Sequence, residues 1–190
     1  MASFLLPSIP PDFIPVEVLL FGGLMLVIIV LIHGAGLDRI VRRYKRKADM
    51  LRAKELHPHL ATYIFAGAIL LMLLLHVTEA AIWGAVLYKV GLITNLRDSV
   101  YFSANTYTTI GYGLNILPQS WRELAPIMAI SGLFTFAWTT GEMFGIVGEQ
   151  RQLVADLIEK RKSKLEPAHL KDGRADSAAA EKHHQDADES

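Results

Sequence analysis

One uncharged segment holds the residues best placed to do chemistry. Ser99–Trp121 has no Asp, Glu, Lys or Arg over 23 residues, and within Asp98–Gly113 the chain reads Asp-Ser-Val-Tyr-Phe-Ser-Ala-Asn-Thr-Tyr-Thr-Thr-Ile-Gly-Tyr-Gly. What Thr108–Gly113 offers is oxygen. A cation that sheds its water needs replacement oxygens, and a strand whose successive carbonyls all point to one side provides them. Such a strand requires unusual dihedrals at alternate positions, and glycine reaches positive φ without steric cost, which suits Gly111 and Gly113. The Thr109 hydroxyl adds one more oxygen. Ile110 and Tyr112 are expected to point away and wedge the strand in place. Asp98 or Ser99 is a good N-cap for a short helix ending at Tyr107, of about ten residues or roughly 15 Å. The negative pole of that helix favours a cation just beyond its C-terminus.

Thr108-Thr109-Ile110-Gly111-Tyr112-Gly113 resembles the Thr-Val-Gly-Tyr-Gly selectivity filter of the potassium-channel family, with Ile110 in the Val place. The resemblance is to the two-span pore-domain type. It covers roughly His57–Gly148 and leaves one extra N-terminal transmembrane helix outside it. It implies that Thr109, Ile110, Gly111 and Tyr112 hold K+, with Gly113 completing the filter. It also implies that Tyr101, Phe102, Asn105, Thr108 and Leu114 support the filter from behind. Many relatives have Asp directly after the second filter Gly, where this chain has Leu114, and a carboxylate four residues before the filter Thr, where it has Asn105. Asn105 is therefore expected to hydrogen-bond to filter backbone, with Tyr101 and Phe102 packing nearby. One segment cannot encircle an ion and the chain has no repeat of it. Four subunits in cyclic symmetry are required, and the family implies the same homotetramer.

The elements that must position this segment follow from where charge is missing. Hydrophobic residues make up 52% of the 190, charged residues 20%, with 19 basic and 19 acidic side chains. Val18–Leu37, Leu56–Thr78 and Leu124–Gly141 carry no formal charge over 20, 23 and 18 residues. A spanning helix needs about 20 mostly apolar residues, so a simple soluble domain is excluded. The chain divides into a Pro-rich lead (1–16), a first span (17–36), a basic connector (37–56), a pore domain (57–148), an amphipathic helix (149–165) and a tail expected to lack regular structure (166–190). Within the pore domain the outer helix is 57–88, the pore helix and filter 98–113, and the inner helix 121–148. The expected fold class is an all-α membrane protein with three transmembrane helices, a re-entrant pore helix and a filter in a tetrameric pore. Ser99–Trp121 is too rich in Ser, Thr, Asn, Gln, Gly and Pro for a fourth crossing. Irregular backbone at membrane depth requires burial in protein or a watery cavity.

Orientation follows from the basic residues. Leu37–Glu55 and Glu149–Ser190 hold eight Lys or Arg each, and such segments stay cytoplasmic. Three spans then place the N-terminus outside and the C-terminus in the cytoplasm of a plasma or inner membrane. The lead has no Lys or Arg and four prolines, unlike a cleavable signal. Arg42, Arg43, Lys45, Arg46 and Lys47 lie in a stretch, 39–54, suited to anionic lipid head groups. The first span carries no arginines and is not a voltage sensor.

In the inner helix, Gly132 is a candidate hinge, with close packing of a small residue the equal alternative. Thr139 and Thr140 are expected to line a cavity, and Glu142 to form a ring of carboxylates near the inner mouth that concentrates cations. His76 and Glu79, three apart, share a helix face. Glu79 is expected near the outer interface, with His76, like His33, as a satisfied buried side chain. No set of His and acidic residues has metal-site spacing. With no cysteine, thiolate chemistry is excluded, and no nucleophile elbow or paired carboxylates point to an enzyme. Nothing in the charge total favours nucleic acid. No cofactor is expected, K+ being the permeant ion. The reading is a passive potassium-selective channel. The alternatives are a weakly selective cation channel and a non-conducting channel-like scaffold or sensor subunit.

Overall fold

The structure, a computed structural model, describes residues 16–112 and 117–188, with side chains as far as 163. Four α-helices and one 3-10 turn follow in order: α1 (Val16–Lys54), α2 (Pro58–Lys89), α3 (Leu96–Tyr107), the 3-10 turn Gln119–Trp121 and α4 (Leu124–Asp188). There is no strand among the described residues. Gly113 and Leu114 lie outside them, as do the lead through residue 15 and the last two residues of the tail. Helical stretches within Val16–Lys54, Pro58–Lys89 and Gln119–Ser163 are long and apolar enough to cross a membrane.

The helix boundaries have local causes. Pro58 opens α2, where its missing N–H costs nothing. Gly91, at φ 79°, closes the turn after Lys89, and Leu92 N–H reaches back to the Leu87 carbonyl at 3.0 Å. The basic connector is not a loop: α1 runs unbroken through it to Lys54. Arg and Lys are good helix formers. The turns there also bury Tyr44, Ala48 and Leu51 on one face, so the charged residues follow a helical period. α4 likewise continues as helix through Asp188, where composition predicted no regular structure over 166–190. The Ala, Glu, Lys and Gln content of that stretch is favourable to helix.

Two compact units result. The first comprises Met1–Arg42 and Ala68–Phe144. Its core joins Val18, Met25, Ile29, Trp83, Leu87, Tyr107, Leu117, Leu124 and Met128 from α1, α2, α3, α4 and the approach to the 3-10 turn. Large apolar side chains such as Leu24, Leu31, Leu70, Leu74, Leu133 and Phe144 remain outward. Apolar exposure on that scale marks a lipid or protein contact. The second unit comprises Arg43–Gly67 and Gly145–Ser190. Ala48, Leu51, Ala61, Leu153 and Leu157 form its core. The Tyr44 hydroxyl donates to Gln150 at 3.0 Å, and Arg52 reaches Asp156 at 3.2 Å. Arg42, Arg43, Lys45, Arg46 and Lys47 are all exposed on α1, Arg42 paired with Asp38 one turn back.

Candidate functional site

α3 is the platform on which the candidate segment rests, and it is held at both ends. At its start Asn95, not Asp98 or Ser99, is the N-cap: its side-chain oxygen accepts from Arg97 N–H at 2.9 Å and Asp98 N–H at 3.4 Å. The helix therefore begins one turn earlier than expected and has 12 residues. Ser99 is released from capping and is buried, donating to the Gly84 carbonyl at 2.7 Å. At its end, Tyr107 is buried and its backbone carbonyl lies against Gly132 of α4. Any side chain at position 132 would overlap that carbonyl. The glycine considered as a hinge is thus a packing contact, and α4 runs through it unbroken.

Beyond Tyr107 the chain turns back on the helix it has just left. Thr109 N–H donates to Thr106 at 3.0 Å, and Ile110 and Gly111 N–H both donate to the Asn105 carbonyl at 2.9 and 3.3 Å. Two alternate residues make this possible: Thr109 at φ 60° and Gly111 at φ 67°. The left-handed positions are therefore Thr109 and Gly111, where glycines alone had been expected, and a non-glycine residue there costs about 1–2 kcal/mol. N–H and carbonyl of one trans peptide point in opposite directions. With three successive N–H groups aimed at the end of α3, the carbonyls of Thr108, Thr109 and Ile110 face away from it. A row of oxygens on one side is what a dehydrated cation needs.

Other expectations here are corrected. The Asn105 side chain does not brace the segment: its Nδ2 donates to Tyr101 O at 2.8 Å, one turn back on α3, and its main-chain carbonyl does the bracing. Ile110 and Tyr112 do not wedge against the helix of the same chain; they are 68% and 75% exposed. The Thr108 hydroxyl donates to Ala104 O at 2.6 Å. Phe102 packs against the core and Tyr101 is exposed.

Directly behind the segment lies a polar cluster that spacing did not reveal. Glu79 is fully buried, not interfacial. His33 Nδ1 lies 2.9 Å from Glu79 Oε1, and the Tyr107 hydroxyl donates to Glu79 Oε2 at 2.5 Å. His76 Nδ1 is 3.2 Å from the Tyr107 hydroxyl and its Nε2 is 3.0 Å from Thr139 Oγ1. Thr139 Oγ1 lies 3.1 Å from His33 Nε2, which closes a ring through α1, α2, α3 and α4. Thr135 adds a contact to the Tyr107 hydroxyl at 2.6 Å. Charged groups buried this deeply persist only when paired and hydrogen-bonded. Thr139, expected on a cavity wall, has its hydroxyl committed to this ring. Thr140 and Glu142 are exposed on α4, Thr140 donating to Phe136 O at 2.8 Å. The only foretaste of the cluster in the sequence was the i, i+3 pair His76 and Glu79, because His33 and Thr139 lie 106 positions apart.

Residues 60–149 match the family model described as "Ion channel". No curated protein and no solved structure matches the chain.

Proposed function

We propose, from the ion-channel match over residues 60–149, that this chain is a potassium-selective channel conducting K+ passively through a homotetrameric pore. The observation that carries the reading is the alternation of left-handed Thr109 and Gly111, with three successive N–H groups turned onto α3. Four copies of that segment around an axis would surround an ion with main-chain oxygens from Thr108, Thr109 and Ile110. Main-chain oxygens gathered in this way replace the hydration shell. The exposure of Ile110 and Tyr112 supports assembly, since a neighbouring subunit would cover both. The exposed carboxylate of Glu142 is free to join a ring of four near the inner mouth. The membrane is crossed three times, with the N-terminus outside and the basic segments on the cytoplasmic side.

Asn105 favours a second reading, a weakly selective cation channel. With its side chain turned to Tyr101, it leaves the segment without the brace that an acid supplies in many relatives. Flux from liposomes holding the purified protein tests both. Rubidium uptake blocked by barium supports a potassium pore, and reversal potentials in mixed K+ and Na+ separate the two readings. Absence of uptake, or particles that image as dimers or trimers, overturns the proposal.

A further inference from the structure

The geometry points to a buried divalent transition-metal site, of the zinc class, held by His33, His76 and Glu79, with the Tyr107 hydroxyl hydrogen-bonded beside it. One donor atom from each of His33, His76 and Glu79 lies within 4.8 Å of the other two. The Tyr107 hydroxyl stands 2.5 Å from Glu79 Oε2 and 3.2 Å from His76 Nδ1. His33 Nδ1 lies 2.9 Å from Glu79 Oε1, and His76 Nδ1 lies 3.8 Å from Glu79 Oε2. A tetrahedral centre with bonds of about 2.0–2.1 Å has donor separations of about 3.3 Å, and the histidine-to-carboxylate distances of 2.9 and 3.8 Å lie on either side of that value.

Hydrogen-bond accounting leaves room for the metal. Thr139 Oγ1 lies 3.1 Å from His33 Nε2 and 3.0 Å from His76 Nε2. A hydroxyl has one proton and two acceptor sites. It can accept from both Nε2–H groups, or accept from one and donate to the other. In the first case both rings are Nε2–H tautomers with bare Nδ1 atoms; in the second, His33 Nδ1–H donates to Glu79 and no ion is needed. In the first case His33 Nδ1 faces Glu79 Oε1 lone pair against lone pair unless a positive centre stands between them. A metal-bound histidine donates its other ring N–H to an outer acceptor; here one threonine serves both. Imidazole and carboxylate ligands suit zinc. The competing occupant is a proton on one imidazole.

The test reads metal content, which is independent of conduction, so its outcome is separate from that of the flux assay. The full chain is purified without chelators, dialysed against zinc chloride and then against buffer, and subjected to elemental analysis. The expected result is about one zinc per chain, falling below about a tenth in His33→Ala and in His76→Ala. Thr139→Val should weaken zinc binding about 10–100-fold, and Thr139→Ser should retain it. Zinc X-ray absorption on the wild-type protein guards against variants that fail to fold; a shell of only nitrogen and oxygen neighbours at about 2.0–2.1 Å is expected. Wild-type protein that stays folded with less than about a tenth of an equivalent overturns the proposal in favour of the proton. Stoichiometric zinc that persists in both histidine variants overturns it too.

Discussion

The segment Thr108–Tyr112 and the ring of His33, His76, Glu79, Tyr107 and Thr139 are neighbours in space and opposites in means. In the first, side chains are mostly exposed and the main chain does the work, through two left-handed residues. In the second, the main chain is ordinary helix and buried side chains do the work. Tyr107 links them: its carbonyl packs on Gly132, its hydroxyl joins the ring, and its chain continues directly into the segment. The difference teaches that local conformation can be written in contiguous residues, whereas a side-chain cluster is written across distant ones and assembled only by packing.

The sharpest way to break this comparison is Gly111→Ala. A Cβ at φ 67° is strained although nothing crowds it. Cation flux should fall to background while the helices and the proposed tetramer persist, as read by liposome uptake beside circular dichroism and size-exclusion chromatography. Next comes Gly132→Leu. Overpacking against the Tyr107 carbonyl should cost about 3 kcal/mol or more and lower the melting temperature and yield. Gly67→Ala, with nothing within 4 Å of the new carbon, serves as its control and should be harmless. Tyr107→Phe removes contacts to Glu79, Thr135 and His76. A destabilisation of about 1–3 kcal/mol is expected in thermal melts, with a lowered K+ over Na+ permeability ratio if the ring steadies the segment. Asn105→Ala deletes only the side-chain bond to Tyr101. It should cost about 1 kcal/mol or less and leave reversal potentials close to wild type. Smallest of all, Arg52→Ala removes half-exposed ion pairs to Asp49, Glu149 and Asp156. A melting shift equivalent to about 0–1 kcal/mol is expected.

The legible part of the fold was the part set by long apolar runs. Where an outer helix was expected over 57–88, α2 runs from Pro58 to Lys89, opened by Pro58 and followed by Gly91. Less legible was the continuation of α1 past Leu37. There one narrow apolar stripe, Tyr44, Ala48 and Leu51, is hidden among eight cations. The N-cap was misplaced because Asp98 and Ser99 are both good caps in isolation. Only the docking of Ser99 on Gly84 shows why Asn95 takes that role. In the candidate site, Thr109 and Gly111 lie within a motif that can be read directly. Glu79 and Thr139 drew the wrong surroundings, since a carboxylate on an apolar helix looks interfacial until its partners from α1 and α3 are seen. At Asn105 the side chain was expected to bond to the segment, whereas its peptide oxygen accepts from Ile110 and Gly111 and its amide turns to Tyr101.

The peptide oxygens turned away from α3 carry one more implication. Every amino acid brings the same oxygen, so no exchange of side chain can delete it; an exchange can only re-aim it. Tolerance at positions 108–111 is therefore governed by which torsion angles a residue accepts, and a D-amino acid in place of Gly111 should serve where its L-counterpart fails.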